Sequence, residues 1–282
     1  MNYKTSIIMA TYNEPLEYLK LSIESILNQT FKDFEFIIIL DNPKNQEIEN
    51  FIKKYQQKDD RIILLKNEKN LWLAASLNRW IKLAKWKYIA RMDADDVAEE
   101  TRLEQQYNFL EKNKNIDILF TWTNLIDEKW NIIWEFCPKK IEVENFEKYI
   151  FKKPLWTHPT LMIKTDVLKK FFYDEKNSWA EDLELWLNCV ENWYNFSILE
   201  EKLFNYREPN MDNWNKRLWR LKHYSYFTFR VLWKHKNYFY KRKDFWFKFF
   251  YSLFAWISLK IMPNKFNIFL LKKLDKKRSQ SN

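Results

Sequence analysis

The chain has 282 residues, 46% hydrophobic and 19% aromatic, which is ample for the core of one large domain or of a domain with an appendage. Its two cysteines, Cys137 and Cys189, are too few for a disulfide framework, and its start lacks the long apolar core of a signal peptide, so a reducing compartment is expected. The net charge of +10 is uneven: residues 214–282 carry 18 Lys/Arg against Asp244 and Asp275, a net +16, so the other 213 residues sum to −6. With the positive charge outside the acidic body and no nucleic-acid-binding signature, nucleic acid is not the expected partner.

Ser6–Ala10 reads as a buried strand ending at Thr11-Tyr12-Asn13-Glu14-Pro15. Leu16, Leu19, Ile23, Ile26 and Leu27 then recur at helical spacing. Phe34–Leu40 is a second strand, closed by Asp41-Asn42-Pro43, and a polar helix over 45–57 leads to a third, Arg61–Leu65. Ala74–Lys85 is helical and Tyr88–Met92 is the fourth strand. Strands and helices alternating at this spacing predict a parallel, doubly wound α/β sheet, in which ligands gather at the carboxyl ends of the strands. Thr11, Asp41 and Asp93 all fall at such ends.

The stretch Asp93-Ala94-Asp95-Asp96 sets three carboxylates close together after the fourth strand. Like charges that close would retain protons unless a cation or donor groups were nearby, and a hard divalent cation bridging to a substrate diphosphate meets that need. Further on, Arg102–Lys112 reads as a helix, Ile116–Thr121 as a strand, 127–134 as a hairpin, 152–160 as a loop and Leu161–Lys164 as a short strand. A helix starts over 178–186 with Glu181, Asp182 and Glu184 in its first turn, where the helix dipole favours acids.

Glycine is absent, where average usage would give about 20, and there are 15 tryptophans. Several Trp occupy positions where turn chemistry favours Gly: Trp72, Trp80, Trp86, Trp130 and Trp193. Trp80, Trp86 and Trp193 each close an apparent helix before a strand, where a positive φ is expected and a bulky residue is costly. The pattern is that of a gene in which UGA encodes glycine and has been read as tryptophan; deliberate substitution is the alternative. Trp186, by contrast, sits comfortably on a helix face.

Taken in order, Thr11-Tyr12-Asn13-Glu14, Ser25–Thr30, Asp33–Ile38, Asp41, Asn70-Leu71-Trp72, Asn78-Arg79-Trp80, Tyr88–Asp96 and Glu181–Trp186 resemble the family 2 glycosyltransferases. The likeness covers about residues 4–207. It implies the nucleotide-sugar-binding fold called GT-A over 1–213, with 214–282 as a basic, aromatic, helical segment. It also implies a metal-dependent, inverting enzyme that moves a sugar from a nucleotide donor, UDP-sugar foremost, to a glycan or lipid-linked acceptor in cell-surface polysaccharide synthesis. The cofactor implied is Mg²⁺ or Mn²⁺.

By the same resemblance Thr11, Asp41, Asn70, Asn78 and Asp93 contact the donor, Asp95 holds the metal and Asp182 is the general base. Asn70 and Asn78 could equally cap or end a helix. Asp96 is either an acceptor of hydrogen bonds beside the site or a solvated neighbour; Glu181 contacts the acceptor or supports the helix start. His158 lines the acceptor or metal side or is a loop histidine, and Arg207 meets the diphosphate or decorates a strand end. His223 and His235 read as surface residues. The competing function is a catalytically inactive relative that binds sugar nucleotides or a partner. In the tail, the uncharged run Phe249–Leu259 is too short to span a bilayer, and its flanking Lys and Arg suit peripheral contact with an anionic membrane. The expected place is the cytoplasm, peripheral on the inner face of the cell membrane.

Overall fold

The computed structural model describes residues 4–138, 146–151, 158–177, 179–208 and 214–279. Strand β1 (Thr5–Thr11) lies parallel between β2 (Phe34–Leu40) and β4 (Tyr88–Asp93), and β3 (Ile62–Lys66) pairs parallel with β2. These strands are near-continuous apolar runs because both faces are covered. Ile8, Ile37 and Ile39 enter one core with Leu77 and Ile81 of α3 (Trp72–Ile81). Ile7, Met9, Phe36 and Ile38 enter the other, with Leu19 and Ile23 of α1 (Leu16–Leu27) and Ile48 and Ile52 of α2 (Gln46–Gln56).

Beyond β4 the sheet becomes mixed, in the order β3-β2-β1-β4-β8-β6-β9-β5. Here β8 (Met162–Lys164) is antiparallel to β4 and β6 (Ile118–Ile126), β9 (Phe196–Arg207) is parallel to β6, and β5 (Val97–Ala98) is antiparallel to β9. The hairpin expected over 127–134 forms between β6 and β7 (Ile132–Phe136). Helices α4 (Arg102–Lys112), α5 (Phe146–Tyr149), α6 (Thr165–Phe171) and α7 (Glu181–Glu191) complete the body. The result is the α/β architecture that the strand and helix periodicity predicts. Its register pairs Thr11 with Leu40, Leu40 with Lys66 and Ala10 with Asp93, so four carboxyl ends finish level along one edge.

The tail forms α8 (Trp214–Phe239), α9 (Lys243–Ile261) and α10 (Asn264–Ser279). Val231, Leu232, Phe239, Phe245 and Phe249 join the same core as Ile8 and Leu77. The expected boundary at 213/214 borders residues 209–213, which lie outside the described residues.

His235 corrects the expectation of a surface histidine, being only 3% exposed. Its Nδ1 lies 2.7 Å from Glu191 and its Nε2 3.4 Å from the fully buried Glu184, which also pairs with Lys234. Burial alone would lower the His235 pKa, but the Glu184 and Glu191 carboxylates outweigh it and raise it above 6.5. Burial likewise opposes ionisation of Glu184, yet His235 and Lys234 bring its pKa below 4.5. The histidine's stabilisation is whole below 6.5 and is lost as pH rises through its folded pKa; that of Glu184 is whole above 4.5 and is lost as pH falls through its own. Thermal unfolding should therefore show this network contributing most between those values. His235→Gln should cost about 1–3 kcal/mol near pH 6 and much less at pH 9; an equal loss at both would refute the ionised pair.

Among the described residues, five have positive φ: Trp72 (67°), Trp130 (67°), Phe172 (52°), Trp179 (79°) and Trp193 (60°). Trp193 ends α7 as expected. Trp80 and Trp86 do not share this conformation: α3 runs through Trp80 and ends on a right-handed Lys82, so no left-handed residue is needed there. Trp186 is buried in the core, as its helix face predicts.

Candidate active site

Thr11, Asp41, Asn67 and Asp93 stand at the level carboxyl ends of β1, β2, β3 and β4, where the first three are buried. The Thr11 hydroxyl donates to Glu14 Oε2 at 2.6 Å, and the same oxygen accepts the Tyr12 N–H at 2.8 Å. Asp41 Oδ1 accepts from Asn67 Nδ2 (2.7 Å) and from the Leu71 N–H (2.8 Å). Asn67 also donates to Ser76 Oγ at 2.8 Å and accepts from Arg79 at 2.9 Å. Asp41 is thus held in one orientation by α3 and the segment before it. Asn67 was missed in the sequence, although it follows β3 as Asp41 follows β2.

These strand ends open on a cavity of about 450 Å³ lined by Thr11, Glu14, Asp41, Asn70, Trp72, Asp93, Asp95, Trp179 and Glu181. Asn70 Oδ1 accepts the Trp72 N–H at 2.8 Å at the start of α3, and the residue also lines the cavity. Two of the left-handed tryptophans, Trp72 and Trp179, also form its walls.

The acidic stretch is differentiated by its surroundings. Asp93 is 2.5 Å from the buried Arg91 guanidinium. Asp95 is pushed up to about 7, by burial first and then by the charges of Asp93 and Glu14. Asp96 is fully buried and no solvated neighbour: Oδ1 accepts the Arg207 N–H at 2.7 Å and fastens the turn to β9. Burial, then Asp93 and Asp95, hold its pKa well above the usual carboxylate range. Behind them Arg102, also fully buried, donates to the carbonyls of Arg91 (2.9 Å) and Pro159 (2.8 Å).

Arg207 is 2% exposed. Its Nε donates to Asp95 O (2.9 Å) and Nη1 to Asp127 O (3.1 Å), and its guanidinium lies 4.2 Å and 4.6 Å from the ring centres of Tyr18 and Trp130.

The first turn of α7 brings Glu181 to the cavity, while Asp182, next in sequence, is not among the lining residues. Glu181 lines the cavity, its Oε2 has no hydrogen-bond partner among the described residues, and burial followed by the Asp182 charge raises it to about 7. Asp182 Oδ1 accepts the Leu183 N–H at 2.7 Å, and burial raises its pKa against that bond. The Asp182 charge in turn helps raise the Tyr224 hydroxyl on α8, after burial.

Asn78 and His158, expected at the site, also stand outside the cavity lining. Asn78 is buried with Nδ2 donating to Tyr173 O (2.8 Å) and Oδ1 accepting the Tyr173 N–H (2.8 Å). It clamps α3 to the segment after α6 and is not in the cavity wall. His158 lies 2.7 Å from Tyr173 Oη and packs its ring against Trp186. Burial, then Arg91, holds it neutral, as a structural partner of that clamp. Both contacts are made to residues far along the chain, which no local pattern discloses.

The glycosyl transferase family 2 profile matches residues 6–172. The chain belongs to glycosyl transferase family 2. An uncharacterized glycosyltransferase of Methanocaldococcus jannaschii is 49% identical over 272 residues, 96% of this chain and 94% of that one. The Escherichia coli UDP-Glc:alpha-D-GlcNAc-diphosphoundecaprenol beta-1,3-glucosyltransferase WfaP is 33% identical over 186 residues, 66% of this chain and 69% of its own. Among solved structures, the mannosyltransferase PcManGT of Pyrobaculum calidifontis, in complex with GDP-Man and Mn²⁺, superposes with a TM-score of 0.63 at 12% identity. That match covers 98% of this chain and 80% of that one, and it shows a shared GT-A fold. As a family 2 member the protein is a glycosyltransferase, with relatives in cell-surface polysaccharide synthesis.

Proposed function

We propose that this family 2 enzyme transfers a sugar, with inversion, from a nucleotide donor, UDP-sugar foremost, to a hydroxyl of a glycan or lipid-linked acceptor. The observation that carries this is one cavity lined by Asp41, Asp93 and Asp95 at the strand ends and by Glu181 at the start of α7, beside Asp182 in sequence. Asp41 takes the nucleoside edge, Asp93 the ribose, and Asp182 accepts the proton of the attacking hydroxyl. A single base on the face opposite the leaving group suffices, which is why inversion is favoured. WfaP, by its name, uses UDP-Glc and a diphosphate-linked acceptor, which supports that donor and acceptor class here.

The residues fit a divalent cation. Asp95 is pushed up to about 7 by burial first and then by the charges of Asp93 and Glu14, a negative surplus that an ion would relieve. Among the described residues no three acidic, His or Cys side chains form a closed cage. One or two carboxylates completed by substrate phosphates is the arrangement Mg²⁺ uses, and Asp95, with Asp93 beside it, supplies that set. Bound there, the ion would stabilise the charge developing on the departing nucleoside diphosphate. Calorimetry with UDP should show affinity enhanced by Mn²⁺ or Mg²⁺, and Asp95→Ala should reduce that enhancement about tenfold or more. UDP affinity indifferent to metal and to Asp95 would refute the metal role.

A second reading, a catalytically inactive sugar-nucleotide binder, is favoured by one observation: bulky Trp72 and Trp179 in the donor cavity wall.

The transfer unit we propose is 1–213, with 214–282 as the membrane-facing part and the cytoplasmic face of the membrane as the working place. Among the described residues no helix is long and apolar enough to cross a membrane. Phe247, Phe250, Tyr251, Phe254, Ile257 and Ile261 are all exposed and recur along one face of α9. Lys243, Lys260 and Lys265 flank that stripe in the exposed set. An apolar stripe with basic flanks suits the interface of an anionic membrane, each basic residue adding about 1 kcal/mol. The full chain should pellet with anionic vesicles at low salt and less with neutral ones, and Phe247→Ser with Phe254→Ser should abolish it. Pelleting unaltered by both changes would leave the stripe without this role.

A further inference from the structure

A second cavity of about 400 Å³ adjoins the first and shares Asp93, Asp95 and Trp179 with it. Its remaining wall brings Arg207 from the end of β9 together with Arg220 and Tyr224 from α8. The tail is therefore part of the cleft as well as a neighbour of the core. Arg207 is buried and fixed at Nε and Nη1, yet Nη2 has no hydrogen-bond partner among the described residues. Arg220 is half-buried and makes no hydrogen bond or ion pair with another described residue.

Two guanidinium groups line one cavity, and the buried Arg207 Nη2 among them has an unused donor. A planar fork of N–H groups matches phosphate oxygens two at a time. Arg220 is outside the lining of the donor cavity, so the donor's own phosphates do not account for it.

We propose that this second cavity is the acceptor subsite, and that it takes an acceptor bearing a phosphate or diphosphate ester, gripped by Arg220 with Arg207 behind it. This rests on the transferase reading above and adds the chemical class of its acceptor. The hydroxyl to be glycosylated then sits between the anion and the shared wall of Asp93, Asp95 and Trp179. A phosphate in a lipid carrier and one in a polymer repeat share this chemistry.

The test is binding to the full chain, with and without UDP, of three probes: an N-acetylglucosaminyl alkyl diphosphate, N-acetylglucosamine 1-phosphate, and neutral octyl N-acetylglucosaminide. The phosphorylated probes should bind more tightly than the neutral one. Arg220→Gln should weaken them about ten- to a hundredfold, as loss of a charged hydrogen-bond pair does, while UDP affinity stays unchanged. Arg220→Lys should fall between, because charge survives without the fork. The alkyl diphosphate binding best would identify a lipid carrier; equal binding of both phosphates would identify a polymer or sugar phosphate. Equal affinity for neutral and phosphorylated probes, or an intact preference in folded Arg220→Gln, would overturn the proposal. If UDP fails to bind while the Arg220-dependent preference persists, the donor reading falls and the anion subsite stands.

Discussion

Asp182→Asn is expected to lower kcat by about 10²–10⁴-fold, the range for loss of a positioned general base, with UDP affinity retained. The carboxylate sits at the first turn of α7, and burial raises its pKa while the Leu183 N–H keeps Oδ1 oriented. A base whose pKa is raised accepts a proton with more driving force than a solvated Asp. Glu181 is the competitor, since it lines the donor cavity with Oε2 unpartnered and stands at about 7. Glu181→Gln should leave most of kcat if Asp182 is the base. The reverse ranking, with Glu181→Gln inactive and Asp182→Asn mild, would transfer the role to Glu181. In either case kcat/KM should rise with pH through the pKa of the working carboxyl, because only its ionised form accepts the proton. A flat acid limb would exclude both.

Glycine at the left-handed tryptophans should raise stability and activity together. Trp72 and Trp193 have φ of 67° and 60° and are 61% and 78% exposed, so little packing is lost with their indoles. A left-handed conformation costs a residue with a Cβ about 1–2 kcal/mol, and the unfolded-state freedom of glycine returns roughly half of that. The net is about 1 kcal/mol per site, so the Trp72→Gly/Trp193→Gly double variant should melt about 4–6 °C higher. Trp179 is different, because its ring packs 5.1 Å from that of Trp219. Its replacement should gain less stability but clear the wall common to both cavities. Trp72→Gly/Trp179→Gly should raise kcat/KM about tenfold or more, since a small misplacement of donor is costly to the reaction. Unchanged turnover would favour the inactive-binder reading, and a lower melting temperature would show the indoles to be native packing. We further propose that Trp72, Trp130, Trp179 and Trp193 stand at positions that are glycine in the protein as its own cell makes it. A native mass equal to that of the sequence with all 15 tryptophans would refute this.

The sequence by itself determined the parallel half of the sheet. Ser6–Ala10, Phe34–Leu40 and Tyr88–Met92 are apolar runs separated by helical periodicity, and local pattern suffices for strands buried on both faces. It also placed Thr11, Asp41, Asp93 and Asp95 on the cavity, because strand ends are set by the same local pattern. The turn tryptophans were legible at 72, 130 and 193 but not at 179, which lies in no recognisable turn signal. Only the tertiary structure decided which polar side chains serve the site. Asn78 closes on Tyr173, 95 residues away, and Arg207 on Asp95, 112 residues away. His235 is drawn into the core by Glu184, 50 or so residues earlier, against its basic surroundings in the chain. Arg220 reaches the cleft only because α8 packs on α7. Such contacts depend on how separately formed elements dock, and that is set by the summed packing of distant apolar faces rather than by the residues flanking each polar group.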